Sequence, residues 1–218
     1  MKECYKTVYE GGTGEIIEKK SRFIAKIIPI NTEEEAIEFI EAMKKKYWDA
    51  RHNCSAYVIG PNHEIQRCSD DGEPSKTAGR PMLDVLLNED IHNVAVVVTR
   101  YFGGILLGTG GLVRAYQGAT KEGLDHSTII TKYLGKKLQL TTDYNGIGKI
   151  QYIIGQMELT IMNTEYSDVV QITVLVSPKD ENAFRKKVIE ATSNRALIED
   201  IETLYYAKLN GDILTFKV

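Results

Sequence analysis

Apolar and polar positions along this chain repeat with two different periods, and each change of period marks an element. Tyr5 to Tyr9, Gly14 to Glu18 and Arg22 to Ile30, the last rich in Phe, Ile and Ala, read as strands, with Glu10-Gly11-Gly12-Thr13 as a loop between the first two. After Asn31 the period lengthens. Ala36, Ile37, Ile40, Met43 and Tyr47 follow helical spacing behind Thr32, which can cap the helix. Glu33, Glu34 and Glu35 open this helix and Lys44, Lys45 and Lys46 close it, a charge order that suits the helix dipole.

Asn53 to Gly60 and Glu64 to Cys68 read as two strands around a Gly60-Pro61-Asn62-His63 turn. Ala78 to Asn88 reads as a helix with Thr77 as candidate cap. Asn93 to Arg100 is almost wholly apolar, so both faces of that strand are expected to be covered. A glycine-opened helix follows over 108–126.

Beyond residue 130 the order becomes strand, helix, strand, strand, helix, strand. The strands are 136–142, 158–163, 169–176 and 201–208. One helix follows Asp143, with Ile147, Ile150, Ile153, Ile154 and Met157 on its apolar side. The other runs over 178–194, with Phe184, Val188 and Ala191 inward. This β-α-β-β-α-β order is the ferredoxin-like pattern. The expected class is α+β, with domains at 1–132 and 133–218.

Composition narrows the function classes. No run of about 18 apolar residues exists, so no membrane span and no membrane partner is expected. The N-terminus lacks the apolar stretch of a secretory signal, and Cys4, Cys54 and Cys68 are too few and odd in number for a disulfide framework. A cytoplasmic location follows as an expectation. The net charge is −3, split as −2 over 1–132 and −1 over 133–218, so neither half is a basic domain. Any nucleic-acid contact must concentrate its positive charge on one face.

Three stretches could carry chemistry. The first is Tyr101 to Tyr116, with Gly103, Gly104, Gly108, Gly110 and Gly111 between a buried strand and a helix. Unpaired N–H groups at a helix N-terminus attract anions, and glycine lets an anion approach without a Cβ in the way. Thr109 could cap the helix or donate a hydroxyl, and Arg100 and Arg114 could add charge. The spacing fits neither a Walker A loop nor the dinucleotide fingerprint. Turn formation and close packing remain the alternative account of these glycines.

The second stretch is Cys68 to Gly79. Asp70, Asp71 and Glu73 could hold Mg²⁺ or serve acid–base catalysis. They could instead cap the next helix or pair with Arg51, Arg80 or Arg100. The third is Ala50 to Tyr57. His52 and Cys54, two apart on a strand, share a face. Even with Cys68 and His92 they match no metal-ligand spacing, and no metal site is expected. No Gly-x-Ser-x-Gly elbow appears.

Five segments together resemble the YigZ/IMPACT family: Ser21 to Ala25, Ala50 to Tyr57, Ser69 to Pro74, Thr77 to Leu83 and Arg100 to Tyr116. The second half is similar to the small C-terminal domain of bacterial members. The resemblance implies an N-terminal domain like the second domain of small-ribosomal-subunit protein 5. It implies a C-terminal domain like domain V of elongation factor G. It also implies a link to translational control through a partner protein, as in eukaryotic relatives. One position departs: Lys76 stands where the family pattern has Gly, and would be strained if that position needs positive φ.

The leading expectation is therefore a non-enzymatic RNA- or ribosome-associated protein. Its contact residues would be Arg51, Arg80, Arg100, Gly103, Gly104, Gly108, Thr109, Gly110, Gly111 and Arg114, with Arg22 nearby. It needs no cofactor. The rival expectation is an enzyme for a small phosphorylated ligand, with Asp70, Asp71 and Glu73 as catalytic candidates and Mg²⁺ as its ion. A third is a regulator that binds a protein partner.

Overall fold

The computed structural model describes residues 1–218, an α+β protein whose chain divides into two compact units. The N-terminal unit holds Lys2 and Cys4–Thr131. The C-terminal unit holds Lys132–Val218 with Met1 and Glu3.

In the N-terminal unit the elements run β1 (Cys4–Glu10), β2 (Thr13–Glu18), β3 (Ser21–Pro29), α1 (Glu33–Lys46), β4 (His52–Ile59), β5 (Ile65–Ser69), α2 (Gly79–Asn88), β6 (Ile91–His92), β7 (Val94–Tyr101) and α3 (Gly108–Asp125). Five strands form an antiparallel sheet in the order β2-β3-β7-β4-β5. The short β6 pairs in parallel with β1.

The apolar run of β7 is covered on both faces. Val94, Val96 and Val98 face a core with Met82, Leu86, Leu112, Ala115 and Tyr116 from α2 and α3. Ala95 faces a second cluster with Ala36 of α1, Tyr57 and Ile59. Side chains alternate along a strand, so Arg100 belongs to the Val96–Val98 face and Tyr101 to the other.

Thr32 caps α1, its hydroxyl accepting from the Glu35 N–H at 3.2 Å. Ala36 and Met43 are buried, whereas Ile37 is left 54% exposed. Thr77 does not cap α2; its hydroxyl donates to the Pro74 carbonyl at 2.6 Å. The cap comes from Asp70, whose carboxylate accepts from the N–H groups of Ala78 at 3.0 Å and Gly79 at 2.8 Å. A carboxylate at a helix N-terminus satisfies orphan donors and opposes the dipole charge.

The C-terminal unit takes up β8 (Thr128–Thr142), which starts before the unit boundary, then α4 (Ile147–Gln156), β9 (Thr160–Tyr166), β10 (Val170–Val176), α5 (Glu181–Thr192), β11 (Leu197–Leu209) and β12 (Asp212–Lys217). Its strands lie in the order β12-β11-β8-β10-β9, all antiparallel. Without β12 this is the ferredoxin-like arrangement that the element order predicts. Leu138, Leu140, Ile172 and Val174 pack on Ile150, Ile154, Phe184 and Val188. The added hairpin strand β12 has no strong apolar alternation, and the sequence pattern misses it. No helix is long and apolar enough to cross a membrane.

Candidate functional site

The end of β7 brings the first two candidate stretches together. Arg100 ends the buried face of β7, where a charge needs a partner. Glu73, in the loop before α2, supplies it: Arg100 Nη1 donates to Glu73 Oε1 at 2.6 Å, with side chains 8% and 3% exposed. The Tyr116 hydroxyl of α3 donates to the same oxygen at 2.8 Å. Cys54 Sγ lies 3.3 Å from that hydroxyl and 3.0 Å from the Asp70 carbonyl. Burial pushes the Cys54 thiol far above its ordinary value of 9.0, which disfavours the thiolate. Burial likewise raises Tyr116, and the neighbouring Cys54 and Glu73 add to the shift.

The other two carboxylates are engaged by backbone. Asp70 accepts from Lys76, Ala78 and Gly79 N–H groups. Asp71 Oδ2 accepts from the Asn53 N–H at 2.7 Å, and its Oδ1 lies 3.4 Å from Lys44 Nζ. The three acids therefore serve three separate sets of partners. These bonds tie the loop between β5 and α2 to β4, β7 and α3. Lys76 sits in that loop at φ +62°, the left-handed region that disfavours a side chain.

Arg100 also borders open space. A cleft of about 420 Å³ is lined by Asp49, Arg51, His52, Arg100, Phe102 and Leu106, with Ala50 and Tyr101. Arg51 is exposed on its rim. His52 Nδ1 donates to the Asp71 carbonyl at 2.9 Å. The Arg100 guanidinium lies 5.7 Å from the Phe102 ring centre, and its buried Nε has no hydrogen-bond partner. Tyr101 is oriented by its hydroxyl, which donates to Asp49 at 2.8 Å.

The glycines divide by role. Gly103 is a packing glycine: a Cβ there would fall 2.0 Å from the Lys20 carbonyl carbon. Gly108 opens α3 at φ +73°, with nothing within 4 Å of the position a Cβ would take. Gly104 is equally open, Gly110 lies 3.6 Å from Arg114 Nη1 by the same measure, and Gly111 packs against Leu107. Thr109 lies inside the first turn and does not cap; Leu107 takes that place, with no side-chain hydrogen bond. The first turn, Gly108 to Gly110, is exposed, as is Arg114. Arg80 is tied to Asp84 along α2 at 2.8 Å, and Arg22 to Glu15 at 2.9 Å.

Sequence reasoning does not single out Tyr116, Phe102 or Leu106. Tyr116 was legible in principle, since Leu112, Tyr116 and Ala119 share one helical face. His52 and His92 are not brought together; they lie at opposite ends of β4, with His92 beside Gly60.

Residues 19–124 match the family described as the Impact N-terminal domain, and residues 140–195 a domain of unknown function, DUF1949. The chain is 44% identical over 208 residues to the IMPACT family member YvyE of Bacillus subtilis, covering 95% of this chain and 96% of the relative. It is 37% identical to the IMPACT family member YigZ of Escherichia coli over 79% of this chain and 85% of the relative. Protein IMPACT of Danio rerio is 48% identical over 67 residues, which span 29% of this chain and 20% of that protein. A crystal structure titled as a hypothetical protein superposes with a TM-score of 0.59 at 33% identity, covering 93% of this chain and 99% of the other.

Proposed function

The chain belongs to the IMPACT family, and on that premise we propose that it is a non-enzymatic protein that associates with RNA or the ribosome and regulates translation. The cleft at the end of β7 carries this reading. Beside the Asp49 carboxylate it combines two arginines, one histidine and two aromatic residues, Tyr101 and Phe102, of the kind that stacks on bases. The Arg100 Nε, buried and unpartnered, is a donor suited to a phosphate oxygen. The exposed first turn of α3 adds unpaired N–H groups, and Arg114 adds charge. That Asp70, Asp71 and Glu73 are engaged by backbone N–H groups and by Arg100 favours binding over the Mg²⁺-dependent alternative.

A salt series tests this. Anisotropy of a labelled single-stranded RNA should give a log–log slope of about −2 to −3, for three to four phosphate contacts. Binding that ignores salt, or no binding at low salt, contradicts the reading.

A second reading has its own observation. Phe102, Ile105 and Leu106 are 53%, 44% and 82% exposed, an apolar run that also suits docking of a regulatory protein. Substituting Ile105 and Leu106 by Ser would then abolish capture of that protein and leave RNA binding intact.

A further inference from the structure

A second cluster lies away from the cleft. His63 belongs to the turn between β4 and β5, and Asp90 and His92 belong to the segment joining α2 to β7. These two segments meet through Asn93, whose side-chain oxygen accepts from the Gly60 N–H at 2.7 Å. One ligating atom from each of His63, Asp90 and His92 lies within 4.8 Å of the others.

The geometry points to a site for one divalent transition-metal ion of the zinc class, held by His63 Nε2, Asp90 Oδ1 and His92 Nε2. His92 Nε2 lies 2.9 Å from Asp90 Oδ1, and His63 Nε2 lies 3.8 Å from the same oxygen. Donors about 2.0 to 2.1 Å from a tetrahedral ion stand roughly 3.3 Å apart, so the observed spacings need only small shifts. Two imidazoles and one carboxylate are a donor set that such ions favour, and the half-exposed Asp90 leaves a position for water.

Three observations go beyond proximity. First, His63 Nε2 is buried without any hydrogen-bond partner. Buried polar atoms are nearly always paired, and an orphaned imidazole nitrogen facing a carboxylate fits a lone pair awaiting a cation.

Second, the far side of each ring is fixed by backbone. His92 Nδ1 donates to the Gly60 carbonyl at 3.1 Å, and the His63 ring makes a hydrogen bond with the backbone of Ile91. Metal-binding histidines are oriented in this way, which selects the tautomer that presents Nε2.

Third, His92 Nε2 faces incompatible neighbours. One ring nitrogen cannot both donate to the Asp90 carboxylate, which only accepts, and accept from the Lys2 ammonium, which only donates. The Lys2 ammonium, 3.1 Å from His92 Nε2 and 3.7 Å from Asp90 Oδ1, is the cation that now stands beside them. A metal ion between the three ligands removes the conflict and displaces that ammonium.

The site asks for one movement. The rings of His63 and His92 are stacked, 3.8 Å between centres and 16° between planes. Two imidazoles on one ion must splay apart, so His63 has to turn its Nε2 out of the stack. It lies in a surface turn, which allows this. Binding would clasp the β4–β5 turn to the α2–β7 segment. Sequence spacing alone hides the site, because His63 and Asp90 lie 27 positions apart.

The test uses the whole chain without a histidine tag, carrying Cys4→Ser and Cys68→Ser because both thiols are exposed and thiolates are zinc ligands. Calorimetry with ZnCl₂ should give one equivalent. His63→Gln and Asp90→Asn, at positions that leave the core intact, should each weaken binding at least tenfold. Co²⁺ should give visible absorption bands in the parent and not in either variant. Zinc bound as tightly by both variants as by the parent overturns the site, as does the absence of saturable binding.

Discussion

Glu73 and Arg100 meet at 2.6 Å inside the N-terminal unit, joining the loop before α2 to the last residue on the helix-covered face of β7. Tyr116 of α3 closes the arrangement on the same carboxylate oxygen. One buried ion pair therefore ties the loop before α2 and helix α3 to the end of β7, the segment that lines the cleft.

Removing one partner strands the other charge. Glu73→Gln should destabilise the protein by about 3 to 5 kcal/mol, read from urea unfolding. The double change Glu73→Leu with Arg100→Met should recover most of that loss. If Glu73→Gln proves neutral, the pair is not holding these segments.

Asp70 receives three backbone N–H groups at the start of α2. Asp70→Ala should cost about 1 to 2 kcal/mol of stability as a lost cap, measured by thermal unfolding. Mg²⁺ should not alter the wild-type melting temperature. A rise with Mg²⁺ that Asp70→Ala abolishes would favour the enzyme alternative.

Lys76 at φ +62° holds a conformation that glycine adopts freely. Lys76→Gly should stabilise the fold by about 0.5 to 1 kcal/mol after the unfolded-state entropy of glycine is counted. Its N–H bond to Asp70 survives the change, so thermal unfolding reads strain relief net of the glycine entropy.

In the C-terminal unit, burial alone would raise the Glu181 carboxyl, but hydrogen bonds from Lys136 and Arg185 outweigh it and hold it below its ordinary 4.5. A carboxyl depressed by folding stabilises fully above its unfolded value and loses that contribution as pH falls through its folded one. Acid unfolding monitored from pH 6 to pH 2 should therefore show a loss of stability below about 4.5 that Glu181→Gln diminishes. An unchanged acid limb in that variant would contradict the assignment.

The sequence pattern was most legible where burial is one-sided or complete. The apolar run of β7, the Thr32 cap and the ferredoxin-like order all follow from periodicity and local chemistry. Less legible were features set by distant contacts. Thr77 looked like a cap by position, yet Asp70 reaches Ala78 and Gly79 from eight and nine residues away. Ile37 fits the helical stripe of α1 but stays exposed, outside the cluster that Ala36, Phe39 and Ile40 join. In the site, Arg100 on a buried strand face called for an acid, and Glu73 was among the acids named. The cleft itself was hidden, because Arg51, His52 and Phe102 meet only when β4 pairs with β7.

The most decisive measurement is RNA binding by wild type and by the Arg51→Ala, Arg114→Ala double variant, at two salt concentrations. Both arginines are exposed, and neither belongs to the buried Glu73–Arg100 pair, so the fold should survive. The account predicts salt-sensitive wild-type binding that falls at least tenfold in the variant, with a shallower salt slope. Equal binding by both proteins, with the same slope, would contradict it.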